Sequence, residues 1–175
     1  EMDVELKYEI AVYNESGSYI QVIHGINDYF DSSFGAPISV ELNGNAIKYE
    51  VKERNIVGSD GGTYNKLELR DLNLKLASGE VAKIYVTFEV QKDTLNGVHD
   101  TLIIGDKGNI AEISSYSTLN QDGTNAGKID KDSAPDNLNI RSFNKYSWYD
   151  DDTDAARVLK LELNEENRII NGQVW

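Results

Sequence analysis

Val4-Glu5-Leu6-Lys7-Tyr8-Glu9-Ile10-Ala11-Val12 is the stretch that decides the fold class. Val4, Leu6, Tyr8, Ile10 and Val12 recur at every second position, and mostly charged residues stand between them. Successive side chains of a strand point to opposite faces, so this spacing makes one apolar face and one wet face. That is the pattern of a half-buried antiparallel strand.

The same period returns along the chain. Ala82, Ile84, Val86, Phe88 and Val90 form a second clear strand, launched by a turn at Ser78-Gly79-Glu80. Ile38–Leu42 and Ile47–Val51 flank Asn43-Gly44-Asn45-Ala46, where Asn-Gly supplies the positive φ angles of a tight hairpin. Leu67 and Leu69 alternate, then Leu72, Leu74 and Leu76 alternate on a shifted register, which predicts a bulge or turn at Arg70-Asp71. Val98–Ile104 and Asn109–Ser117 read as two strands joined by a hairpin at Gly105-Asp106-Lys107-Gly108. Leu159, Leu161 and Leu163 alternate near the end, and no amphipathic helix stands out. Many short strands with turn signals between them predict an all-β, immunoglobulin-like antiparallel β-sandwich.

The 175 residues suit one domain, or one domain with an extension. We place a single sandwich over 1–165, and read 166–175 as a linker or the start of a following domain. Glu1-Met2-Asp3-Val4 lacks the basic start and apolar run of a signal peptide, and the ending at Val174-Trp175 is abrupt. Both features read as a piece of a longer protein.

Charge narrows the function classes. With 30 acidic against 17 basic residues the formal net charge is −13, which repels phosphate backbones and argues against nucleic acid as a partner. No stretch approaches the roughly 20 apolar residues of a membrane span, so membrane insertion is not expected of this segment. The absence of cysteine excludes disulfides, thiolate metal sites and thiol catalysis.

The acid is unevenly spread. From Leu119 to Asp154 the chain is rich in Asn, Asp, Gly and Ser and poor in apolar residues, a loop region long enough to need an organiser. Asp130 and Asp132 stand one residue apart, and Asp136 and Asn137 follow Pro135. Asp150, Asp151, Asp152 and Asp154 put four carboxylates into five positions. Either run alone reads as a solvated loop or as a cation site. The two bracket a short strand, expected over Leu138–Phe143, and can meet across it. Oxygen-only donors favour Ca²⁺ over zinc or copper.

Other constellations are weaker. His24 and His99 stand in strand-like stretches with no serine elbow or paired acid beside them, so an enzyme is not expected. Lys7, Asp28 and Asn109 form the best trio for an intramolecular Lys–Asn isopeptide bond, although Lys7 alternates out of phase with its strand's apolar face. Tyr146, Trp148 and Tyr149 form an aromatic group that either plugs the core beneath a long loop or binds glycan or protein.

Leu6–Glu15, Asn27-Asp28-Tyr29-Phe30, Ile84–Val90 and Asn109–Ser117 together resemble the Ig-like repeat of cell-wall-anchored surface proteins of clostridia and related Gram-positive bacteria. Ala126–Pro135 and Asp150–Asp154 are similar to the acidic signatures of such proteins, and Ile169–Trp175 resembles the first strand of a collagen-adhesin B-type or serine–aspartate-repeat B-type module. The resemblance implies an extracellular, wall-displayed stalk or adhesin segment. Its partners would be neighbouring domains of the same chain and a host extracellular-matrix protein or glycan. It also adds Glu112, by its position in the matched motif, as a further calcium ligand.

Overall fold

A computed structural model describes residues 4–90, 96–98, 101–127, 135–142, 153–162 and 169–171. Twelve strands are described: β1 (Val4–Tyr13), β2 (Ile20–Asp31), β3 (Ser39–Leu42), β4 (Asn45–Ala46), β5 (Glu50–Val57), β6 (Thr63–Leu69), β7 (Leu74–Leu76), β8 (Val81–Val90), β9 (Asn96–Val98), β10 (Thr101–Leu119), β11 (Thr153–Glu162) and β12 (Ile169–Asn171). The only helical element among the described residues is a single 3-10 turn at Ser32–Phe34.

The strands form two sheets. The first runs β12-β1-β8-β3-β4, and the second β11-β10-β2-β6-β5, with β7 on β2 and β9 on β10. Pairing is antiparallel except at one edge, where β12 lies parallel to β1 with Glu5 opposite Ile169. The sheets pack face to face. Leu6, Tyr8 and Val12 of β1 and Ile84, Val86 and Phe88 of β8 meet Ile23, Ile26 and Phe30 of β2 and Leu67 and Leu69 of β6. The all-β sandwich expected from the alternation in β1 is the fold, because the apolar stripe of each sheet has only the other to bury against.

Local details refine the sequence reading. Asn43 (φ 52°) and Gly44 (φ 77°) make the two-residue turn expected between β3 and β4. The second arm stops at Ala46, and β5, from Glu50, belongs to the other sheet. The shift at Arg70-Asp71 is a bulge-like break: from Leu69 to Leu74 the chain advances five positions while β2 passes three, Ile26 to Ile23, with Asp71 (φ 54°) and Asn73 (φ 46°) left-handed, and β7 then continues along β2.

Gly105–Gly108 is not a hairpin, because β10 runs unbroken through it. From Ile103 to Lys107, four positions of β10 pass two positions of β11, Lys160 to Val158. The surplus residues are absorbed as a bulge, for which Gly and Asp are as well suited as for a turn.

The expected strand at Leu138–Phe143 is also absent over its described part. Residues 140–142 are turn, and Leu138 and Ile140 instead pack on the outer face of the second sheet, against Tyr29, Ile56, Tyr64 and Ile110. This small layer explains an oddity of β2. Its burial is mixed at first, but from Gly25 to Asp31 every residue is buried. Ile26, Asp28 and Phe30 face the sandwich interior, while Asn27 and Tyr29 face the segment 135–142.

Candidate functional site

Two polar groups lie buried on opposite faces of β2, and a third lies toward its start. The first is on the outer face. Cross-strand register sets Glu112 of β10 opposite Asn27 of β2, Asn27 opposite Glu68 of β6, and Glu68 opposite Glu50 of β5. Directly opposite residues share a face, with Cβ atoms about 5 Å apart, so the three glutamates and the asparagine form one row. Glu112 is 2% exposed and Asn27 0%.

The segment 135–142 closes over this row. The Asp136 backbone N–H donates to the Ile113 carbonyl (3.3 Å), and Asn27 Nδ2 donates to Asp136 Oδ1 (2.9 Å). The Leu138 backbone N–H donates to Glu112 Oε1 (3.2 Å). Asp136 adopts φ 58°, a left-handed conformation that Asp tolerates better than most residues. Arg141 reaches Glu53 Oε1 at 2.6 Å, a surface pair that sets position more than stability.

The electrostatics are lopsided. Glu68 has Lys66 at 3.4 Å and Arg70 at 3.0 Å. Arg70 also donates to Ser114 Oγ at 2.6 Å, directly over Gly25. A Cβ at Gly25 would stand 2.5 Å from that oxygen, so any larger residue there would have to displace the Ser114–Arg70 contact. Beside the row, burial raises the Tyr29 phenol above its usual range, and the carboxylates of Glu112, Asp136, Glu53 and Glu68 push it further. Asn27 Oδ1 is buried and accepts no hydrogen bond from any described residue. Such an orphaned acceptor costs about 1–3 kcal/mol.

Two of the candidate calcium ligands lie at this spot. Glu112 and Asp136 are both at the row; Asn137 follows Asp136 and is exposed. Asp130, Asp132, Asp150, Asp151 and Asp152 lie outside the described residues, as do Tyr146, Trp148 and Tyr149. Only the backbone of Asp154 is described, opposite Ala111 in the β10–β11 pairing. Thr153, which follows Asp150-Asp151-Asp152 in sequence, pairs with Glu112 itself. Among the described residues no group of three or more His, Cys, Asp or Glu side chains could hold a metal. Asn27 was missed in the sequence because it reads as an outward residue of an ordinary strand.

The second group is inside the sandwich. Asp28 is 0% exposed, and Asn109 Nδ2 donates to its Oδ2 at 3.1 Å. Burial pushes the Asp28 carboxyl up to about 7, with the Asn109 hydrogen bond pulling the other way. Asp28 Oδ1 and the Tyr8 hydroxyl have no hydrogen-bond partner among the described residues. Burial and the charges of Asp28 and Asp31 raise the Tyr8 phenol. The acid and the amide of the isopeptide trio are thus together, and the lysine is not. Lys7 points away from the interior faced by Leu6 and Tyr8, and its Nζ lies 5.4 Å from the centre of the Tyr85 ring. Intact mass should therefore be the same with and without Lys7 cross-linking chemistry: the Lys7→Ala protein should differ from wild type by the side-chain mass alone. A difference smaller by one ammonia would show that a Lys7–Asn109 bond forms.

The third group is a contact the sequence did not suggest. His24 Nε2 is 2.9 Å from Ser117 Oγ, and His24 Nδ1 is 3.2 Å from Asn73 Oδ1. It ties the 70–73 link to β10 across β2, and Asn73 is exposed. His99 lies outside the described residues.

No protein-family model, curated protein or solved structure matches this chain. Among the described residues no helix is long and apolar enough to cross a membrane.

Proposed function

We propose that this chain is a non-catalytic structural module of an exported bacterial surface protein, a stalk or host-matrix-binding segment, in which calcium orders the acidic C-terminal third. One observation carries the cation reading. The described end of each acidic run borders the same buried carboxylate: Leu138, just past Asp136, bonds Glu112, and Thr153, just past Asp152, pairs with it. Aspartates held close together repel one another, and a cation would relieve that repulsion. The surface assignment draws support from the acidic, cysteine-free composition and from the resemblance of the strand and acidic motifs to wall-anchored repeats.

The role follows from linkage. An ion that binds only the folded form at a hundredfold over its dissociation constant stabilises it by about 2.7 kcal/mol. For a chain of this size the melting temperature should rise by roughly 5–10 °C on replacing chelator with saturating calcium. Calorimetric titration should show heat of binding. An unchanged melt together with no heat would remove calcium from the function.

A further inference from the structure

We infer that β12 is a force-bearing clip. It lets the chain enter the sandwich at one end and leave toward the other, and it sets the β1–β12 hydrogen bonds across the line of pull when the chain is stretched from both sides. The mechanics rest on the fold alone; that such a pull is met in service rests on the stalk reading.

Strand directions decide where the chain enters and leaves. β1 starts at Val4, opposite Val90, and reaches Tyr13, opposite Val81. Residues 14–19 then lead into β2 through a tight link in which Asn14 Nδ2 donates to the Tyr19 carbonyl at 2.9 Å. Tyr13 and Ile20 therefore lie at one end of the sandwich, and Val4 at the other. β2 runs from that shared end to Asp31, and β10 returns beside it, with Asn109 opposite Phe30 and Leu119 opposite Ile20. β11 is antiparallel to β10 and ends at Glu162, opposite Thr101. Glu162 is thus at the same end as Val4. β12 starts from that end too, with Ile169 opposite Glu5, but it runs parallel to β1, so that the chain leaves Asn171, opposite Lys7, heading the other way. This is the one parallel pairing among the described strands.

Force follows those directions. Without β12, a pull from both sides would act at Val4 and at Glu162, both at one end. β1 would peel from β8, or β11 from β10, one residue pair at a time, and a ladder opened in that way resists with only its last bonds. With β12 in place, the pulls on β1 and β12 are opposed along their common direction. The hydrogen bonds between the two strands cross that direction, so the paired residues must give together. β12 is an edge strand bonded to β1 alone, and β1 is held on its other side by ten residue pairs to β8. Force on β12 therefore passes through β1, whose Leu6, Tyr8 and Val12 are buried between the sheets.

The test is single-molecule stretching of the whole chain. The sequence has no cysteine, so one introduced thiol is a unique handle. With the other handle at the N-terminus, the chain is pulled either from a thiol placed after Trp175 or from Glu162→Cys. Forced unfolding is governed by the unfolding rate, so the pull from beyond Trp175 should need a severalfold higher force than the pull from position 162. Neighbouring N–H groups of a strand point to opposite sides, so Ile169→Pro together with Ile170→Pro removes a donor toward β1 whichever of the two faces it. That double variant should bring the first force down to the second and leave the second unchanged. Equal forces from the two attachment points would overturn the clip, and so would a double variant that keeps the full force. Should the double variant fail to fold, the comparison of the two attachment points decides the matter. Equal forces would leave the surface reading standing, and a melt that does not respond to calcium would leave the clip standing.

Discussion

Asp28→Asn should make the protein more stable at pH 8, by about 2–4 kcal/mol, although it alters a fully buried hydrogen-bonded residue. The carboxyl is enclosed between the sheets, with a single described donor from Asn109, and burial holds its pKa up at about 7. In the unfolded chain it titrates near the ordinary aspartate value, about 3.9. Between these values the folded state binds the extra proton. Stability from this group is therefore complete below about pH 4, falls as pH rises toward 7, and is lost above it. The full span is worth about 4 kcal/mol. Asparagine keeps the shape and an acceptor for Asn109 but has no charge to bury. Urea unfolding of both proteins in chelator at pH 5 and pH 8 gives the comparison. The wild type should lose stability between the two pH values relative to the variant. If Asp28→Asn is the weaker protein at pH 8, the ionised carboxylate has compensating partners and the interior account of Asp28 is wrong.

The fold was legible because its main signal is simple. A period of two in β1 and β8 can be satisfied only on a sheet surface, and both strands lie at the centre of the first sheet, facing the core. What the period could not convey was continuity. Gly105-Asp106-Lys107-Gly108 has turn chemistry, yet the ladder with β11 holds on both sides of it and keeps β10 in one piece. Tertiary pairing outweighed local preference. Leu138 and Ile140 posed the opposite problem. Two apolar residues two positions apart look like a strand, but they serve as a plug over Tyr29 and Ile110.

The site was partly legible for the same reason. Asp136 announces itself by composition, because acid in a loop is visible in one dimension. Glu112 came only through the likeness to a known motif. Asn27 had no signal of its own, since its burial depends on a segment more than a hundred residues later folding back across β2. The isopeptide trio shows how far phase can be trusted. The alternation placed Lys7 off the apolar face of β1, and its ammonium indeed lies by Tyr85, away from Asn109.

Phe88→Ala should cost the most of any single truncation, about 3–5 kcal/mol, or roughly 10 °C in melting temperature. Its ring is fully buried and meets Phe30 at 4.8 Å, Phe34 at 5.6 Å and Tyr8 at 6.0 Å between centroids. These contacts join β8 and β1 to β2 and the 3-10 turn, so the cavity would open where the two sheets meet. Tilted and edge-on ring pairs add to the area term, and rigid strands limit collapse into the gap. Ile140→Ala removes a side chain that is nearly as buried (3%), but from the outer layer alone. Its effect should be felt first in the 135–142 segment, as faster amide exchange there, with a smaller shift of the main melt. Two layers with separate stabilities predict that ordering. Equal losses in the main transition from Phe88→Ala and Ile140→Ala would mean that the outer layer folds as one unit with the sandwich.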